Sequence, residues 1–139
     1  MRRRLSELLP LREAGVSERA LVIAEQRLGH RLPEDLRHFL RVSDGSRWAD
    51  FPQCGCQVLS LGELMSMWEL PQEHRSGPPR LIDVASDGSR ERFCLDPASG
   101  NLVMLDITWE AGEPPACARS LTELVSKLAD GWSPFELPN

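Results

Sequence analysis

The residues of this chain with chemistry to offer are four cysteines, three histidines and a set of carboxylates near strand-like segments. Cys54 and Cys56 stand one residue apart, close enough for both thiolates to reach one metal ion. Structural zinc sites space such a pair by two or more residues, however, and follow it with a second pair. Here Cys94 and Cys117 are isolated, and His30, His38 and His74 are scattered along the chain. Cys94 falls inside an alternating apolar stretch, where a thiol serves as a small packing group. The chain has no G-x-S-x-G elbow, and no cysteine carries a nucleophile's local signature. The glycines at 29, 45, 55, 62, 88, 100 and 112 form no G-x-G or G-K-[ST] phosphate cradle. Asp83, Asp96 and Asp106 could pair across a sheet as acid and base. The commoner reading of such residues is a solvated outer strand face, which is the expectation here. The residues thus predict no enzyme, no metal and no cofactor, and thermal unfolding should be unchanged by chelator or reductant. A drop of several degrees with chelator would overturn this.

A length of 139 residues suits one domain with one core, spanning 1–139. At that size roughly two-thirds of the unfolded surface can be buried, enough for stability without staples. The net charge of −5 excludes a general nucleic-acid binder, which would carry a basic surface. No run reaches the roughly 20 apolar residues needed to span a membrane. Arg2, Arg3 and Arg4 precede Leu5, Leu8 and Leu9, but Ser6, Glu7 and Pro10 break the run too early for a secretory leader. The expected compartment is therefore the cytoplasm, where the cysteines stay as thiols.

The elements follow from periodicity. Residues 17–28 predict a helix capped by Ser17, closed by Gly29 and buried through Leu21, Ala24 and Leu28. A second helix is expected from Pro33 in its first turn, with Leu36, Phe39 and Leu40 buried and Asp44-Gly45 as the stop. Ser60 and Glu63 predict a capping box for a third helix, in which Leu61, Leu64, Met65 and Trp68 share a face until Pro71. Strands are expected over Gln57–Leu59, Arg80–Ala85, Arg92–Asp96 and Leu102–Ile107, the last two joined by Pro97-Ala98-Ser99-Gly100. Ser120 and Glu123 predict a final capping box, with Leu121, Leu124, Val125 and Leu128 as the stripe and Gly131 as the end. Tight turns between successive strands require antiparallel pairing. The fold class is α+β, an antiparallel sheet of about four strands covered on one face by helices.

Segments 44–56, 71–79 and 108–116 are long connections, where function tends to sit. Two carry tryptophans beside carboxylates: Trp48 near Asp50, and Trp109 near Glu110 and Glu113. Such residues either anchor a protein interface, with the acids as its rim, or fold back to cap the core. As an interface they would suit a protein partner that is itself basic.

The order of these motifs resembles the SUKH superfamily. The stretch Val16 to Gly45 is similar to that family's opening, with Leu32, Pro33, Leu36, Arg37, Phe39, Leu40 and Gly45 matching. Asp87-Gly88, Phe93-Cys94-Leu95-Asp96 and Gly100-Asn101-Leu102-Val103 resemble its strand–turn–strand segment, and Ala118-Arg119-Ser120-Leu121 its last helix. The resemblance covers about residues 16–130. It implies an α+β fold without enzymatic activity. Bacterial members are associated with immunity proteins that bind and neutralise toxins, often nucleases or nucleic-acid deaminases. A fungal branch regulates cell-wall synthesis through protein contacts, so the alternative is a scaffold or regulatory interaction domain without a toxin partner. The family motif assigns no site residue.

Overall fold

The computed structural model describes residues 11–12, 14–47, 57–74, 77–86, 91–106 and 112–130. Helix α1 (Glu18–Leu28) starts where Ser17 Oγ accepts from the Ala20 N–H at 3.1 Å, and Gly29 closes it. Leu21, Ala24 and Leu28 are its buried face. Helix α2 (Glu34–Val42) begins one residue later than Pro33, which sits at the N-cap with extended ψ instead of in the first turn. Leu36, Phe39 and Leu40 are buried as their spacing requires. The helix stops at Ser43, ahead of Asp44-Gly45, and Asp44 is used elsewhere. Its carboxylate accepts from the Leu61 N–H at 2.8 Å, satisfying a donor at the start of helix α3 (Leu61–Trp68). The Ser60–Glu63 capping box forms in full. Trp68 is half-buried against the core. A 3₁₀ turn, Gln72–His74, follows.

Gly45 explains why the motif ends on glycine. Its φ is +86°, and a Cβ there would lie 2.8 Å from the Ser60 backbone nitrogen. Only glycine allows the chain leaving α2 to pass so close to the start of α3.

Among the described residues the sheet has five antiparallel strands in the order β1-β2-β3-β4-β5: β1 (Gln57–Val58), β2 (Ile82–Ser86), β3 (Glu91–Leu95), β4 (Leu102–Asp106) and β5 (Ala116–Ala118). The α+β class holds, with five strands in place of about four. β5 escapes sequence patterning because three residues, Ala-Cys-Ala, carry no hydrophobic alternation. Pairing with β4 makes it a strand, with a bulge between the Leu102 and Val103 positions. Helix α4 (Leu121–Ala129) closes the described chain. Ser120 Oγ accepts from the Glu123 N–H, and Asp35 of α2 takes both the backbone N–H and the hydroxyl of Thr122. One carboxylate thus fixes α4 against α2. The stop expected at Gly131 lies outside the described residues.

Helices cover one face of the sheet. The main core joins their stripes to Val58, Ile82, Val84, Ala85, Phe93, Leu95, Leu102 and Ala118. The other face is not simply solvated, contrary to the sequence expectation. Leu81, Cys94, Val103 and Leu105 form a second, smaller apolar cluster there. Among the described residues no helix is long and apolar enough to cross a membrane.

Candidate functional site: one end of the sheet and its connections

The antiparallel meander decides where the candidate loops attach. Gln57 pairs with Ser86, Ser86 with Arg92, and Glu91 with Asp106. The start of β1, the end of β2, the start of β3 and the end of β4 therefore share one end of the sheet. Connections 48–56 and 107–111 are both joined to that end. Trp48, Asp50, Trp109 and Glu110 lie on these connections and outside the described residues. Arg47, at the other root of the first connection, is held nearby because Gln57 Nε2 donates to Ser46 O at 3.2 Å. Two segments far apart in sequence are thus rooted at the same end of the sheet, with β2 and β3 between their roots. Glu113, the fifth candidate, is 73% exposed and takes a hydrogen bond from Arg80. Its carboxylate is an ion-pair partner of Arg80.

The carboxylates considered for acid–base work are kept apart. Asp83 is buried and not solvated: Arg92 Nε donates to it at 3.2 Å, and Cys94 Sγ lies 3.5 Å away. Asp96 sits at the far end of β3 and binds Arg80 at 3.2 Å. That guanidinium and the Ala98 N–H hold the Asp96 carboxyl below its ordinary pKa. Asp106 ends β4 opposite Glu91. Burial, reinforced by the negative Asp83, pushes the Cys94 thiol far up, and burial raises Cys117 to about 11 despite nearby Lys127. Neither is a thiolate nucleophile at neutral pH. Cys54 and Cys56 lie outside the described residues. Among the described residues no three metal-ligating side chains converge.

Among the described residues both edge strands take bonds from outside the sheet. On the β1 side, Ser46 exchanges two bonds with Val58: its N–H donates to Val58 O and its Oγ accepts from Val58 N. On the β5 side, the strand is three residues long and bulged, and Lys127 Nζ donates to Cys117 O at 2.8 Å. Short, bulged and lysine-guarded edges resist addition of a foreign strand.

The charged residue of the sequence motif turns out to be architectural. Arg37 is buried on α2 and donates to Glu25 of α1 at 2.9 Å and to Glu18 at 2.6 Å. Glu25 also accepts from the Leu32 N–H between the helices, and Arg41 adds a second bond to Glu18. Leu32, Leu36, Phe39 and Leu40 fill the main core. The matched positions of the opening stretch, Leu32 to Gly45, therefore have folding roles. A model of the SMI1 / KNR4 family (SUKH-1) matches residues 15–127. The chain belongs to that family. Among curated proteins no relative matches the chain. The match begins at Gly15, whose added Cβ would overlap the Arg41 carbonyl, and runs to Lys127 in α4. It takes in all described elements of the SUKH domain except the last residues of α4.

Acid should loosen the domain in a defined window. Glu18 is held below its ordinary value of 4.5 by Arg37 and Arg41, Glu63 by the Ser60 N–H and then Arg12, and Asp96 below 3.8 by Arg80. Each carboxylate binds protons more weakly folded than unfolded. Its stabilisation is thus present above the unfolded pKa and is lost as pH falls through the folded one. The urea midpoint should hold steady down to about pH 5 and decline below it. Asp96→Asn should make that decline shallower, and an equal decline in this variant would contradict the assignment.

Sequence reasoning missed two features of this surface. Val22 and Ile23 are exposed on α1, and both are visible in the sequence as apolar residues off the Leu21/Ala24/Leu28 stripe. The Arg80–Asp96–Glu113 cluster had no sequence signal, since its members are brought together only by the sheet.

Proposed function

We propose that this SUKH domain is a non-enzymatic, immunity-type protein that binds and neutralises a toxin, and that it acts in the cytoplasm. The family match over residues 15–127 carries the reading, since SUKH membership is compatible with a protein-interaction role. Three properties of the chain support it. The net charge of −5 suits a basic partner such as a nuclease or deaminase domain, whose cleft must hold a polyanion. The matched residues of the opening stretch are consumed by the fold, as in a binding scaffold. Two tryptophan-bearing connections are rooted at one end of the sheet.

In this reading Trp48 and Trp109 are apolar anchors, and Asp50, Glu110 and Glu113 form the acidic rim. Aromatic anchors hold most of the energy of an interface, whereas rim charges chiefly set the association rate. Binding kinetics against the cognate toxin domain, sought in the neighbouring gene, should therefore separate the two classes. Trp48→Ala and Trp109→Ala should speed dissociation. Asp50→Asn with Glu110→Gln should slow association and flatten its salt dependence. If these variants leave both rates unchanged, the connections are not the interface.

A further inference from the structure

Between α2 and the 48–56 connection lies the turn Ser43-Asp44-Gly45-Ser46, whose polar side chains are all spent on holding neighbours. Ser43 and Ser46 are both 0% exposed. Ser43 Oγ donates to Gly45 O at 2.7 Å, and Asp44 accepts from the Leu61 N–H of α3. Ser46 binds Val58 through both its N–H and its hydroxyl, and its carbonyl accepts from Gln57 Nε2. The two ends of the connection, at Ser46 and at Gln57 with Val58, are thereby tied to each other. A connection with fixed ends has less freedom to lose when a partner orders it.

The chain ahead of α1 runs antiparallel to this turn, bridged through Leu11 to Ser46 and through Ala14 to Ser43. The Arg12 N–H donates to Ser43 Oγ at 2.8 Å, so one buried hydroxyl accepts from this segment while donating into the turn. Arg47 Nε donates to Leu11 O at 3.1 Å, which ties the segment to the root of the connection itself. The far end of the segment is fixed to α2, where the Val16 N–H donates to Leu40 O at 2.8 Å. Gly15 permits this approach, since an added Cβ would overlap the Arg41 carbonyl. Arg12 also reaches the carboxylate of Glu63, the capping-box residue of α3, at 2.6 Å.

We propose that residues 11–12 and 14–16 are a positioning clamp for the 48–56 connection: they brace its root at Ser43, Ser46 and Arg47, and Ser46 carries the constraint to Gln57 and Val58 at the other end. The segment itself supplies none of the candidate interface residues. Its benefit to binding rests on the proposed role of Trp48 and Asp50, whereas the clamp is measurable on the free protein.

The test is amide hydrogen exchange of the free protein by NMR, with Phe93 and Cys94 of β3 as the internal reference. Loosening of the root raises exchange at Ser46 and Val58 selectively, whereas a loss of global stability raises all slow amides together. Gly15→Ala drives the segment off α2 and should raise exchange at Ser46 and Val58 about tenfold more than at the reference amides, the scale of losing one buried hydrogen bond. Arg47→Ala removes only the bond to Leu11 O, from an exposed side chain, so it tests the clamp even if Gly15→Ala folds poorly. Its excess should be about threefold. Thr122→Ala, which loosens α4 from Asp35 of α2 instead, should produce no excess at Ser46 and Val58. An excess in either clamp variant that Thr122→Ala lacks supports the clamp. If Ser46 and Val58 rise only in step with β3 in both clamp variants, or if Thr122→Ala produces the same excess, the clamp is refuted.

Discussion

Replacing Phe39 with alanine is expected to destabilise the domain by about 3–5 kcal/mol, the range for removing a buried aromatic side chain. Phe39 is 1% exposed and, with Phe93, is among the largest side chains fully enclosed by the core. It stands on α2, whose neighbours Leu36 and Leu40 face the same cluster, so its cavity would open between the helices and the sheet. The surrounding helices are fixed by Arg37–Glu25, Asp35–Thr122 and Asp44–Leu61, which limits collapse into the space. A domain of this size is stable by only about 5–15 kcal/mol, so the loss should shift the urea midpoint severely. Phe39→Leu should retain roughly half of the difference, since much of the volume is kept. Full stability in Phe39→Ala would mean that α2 does not present this face to the core.

Arg37→Ala is expected to cost about 3–5 kcal/mol, for a different reason. The side chains of Arg37 and Glu25 are 9% and 12% exposed, so truncating the arginine strands a nearly buried carboxylate. Glu25 would keep the Leu32 N–H as a partner but lose its cation. The pair itself need not be worth that much, because both ions gave up water to reach the site. A double-mutant cycle distinguishes the two quantities. Arg37→Met with Glu25→Gln removes both charges while Gln can still accept from Leu32, and should recover most of the loss. If the double variant is as unstable as Arg37→Ala, the arginine contributes through packing rather than through the ion pair.

These two residues also show what the sequence determines alone. Phe39 could be assigned to the core because helical spacing with Leu36 and Leu40 leaves one face apolar, a local property of nine residues. The same holds for α1, α3 and α4, whose caps and stripes lie within one segment each. The hairpins β2–β3–β4 were legible because turn residues and alternation sit next to each other in the chain. Arg37 was legible as part of a motif but not as one half of an ion pair. Its partners Glu25 and Glu18 are 12 and 19 residues away, on a helix whose relative rotation the sequence does not state.

The remaining features depend on pairing between distant segments. Three residues of β5 carry no periodic signal and become a strand because β4 offers unpaired backbone groups beside them. Asp83 looks like an outward-facing strand acid, yet the second face is covered, and burial forces it to pair with Arg92. In the sequence Glu113 is an acid near a loop tryptophan, and the fold places it with Arg80 and Asp96, 33 and 17 residues away in the chain. The sequence placed Trp48 and Trp109 on two separate long connections. That these connections are rooted at the same end of the sheet follows from strand direction and register alone. Local chemistry thus determined which segments are helices and turns. Tertiary structure decided which distant charges meet and which connections share an end of the sheet, because burial and strand pairing act between residues that the chain keeps far apart.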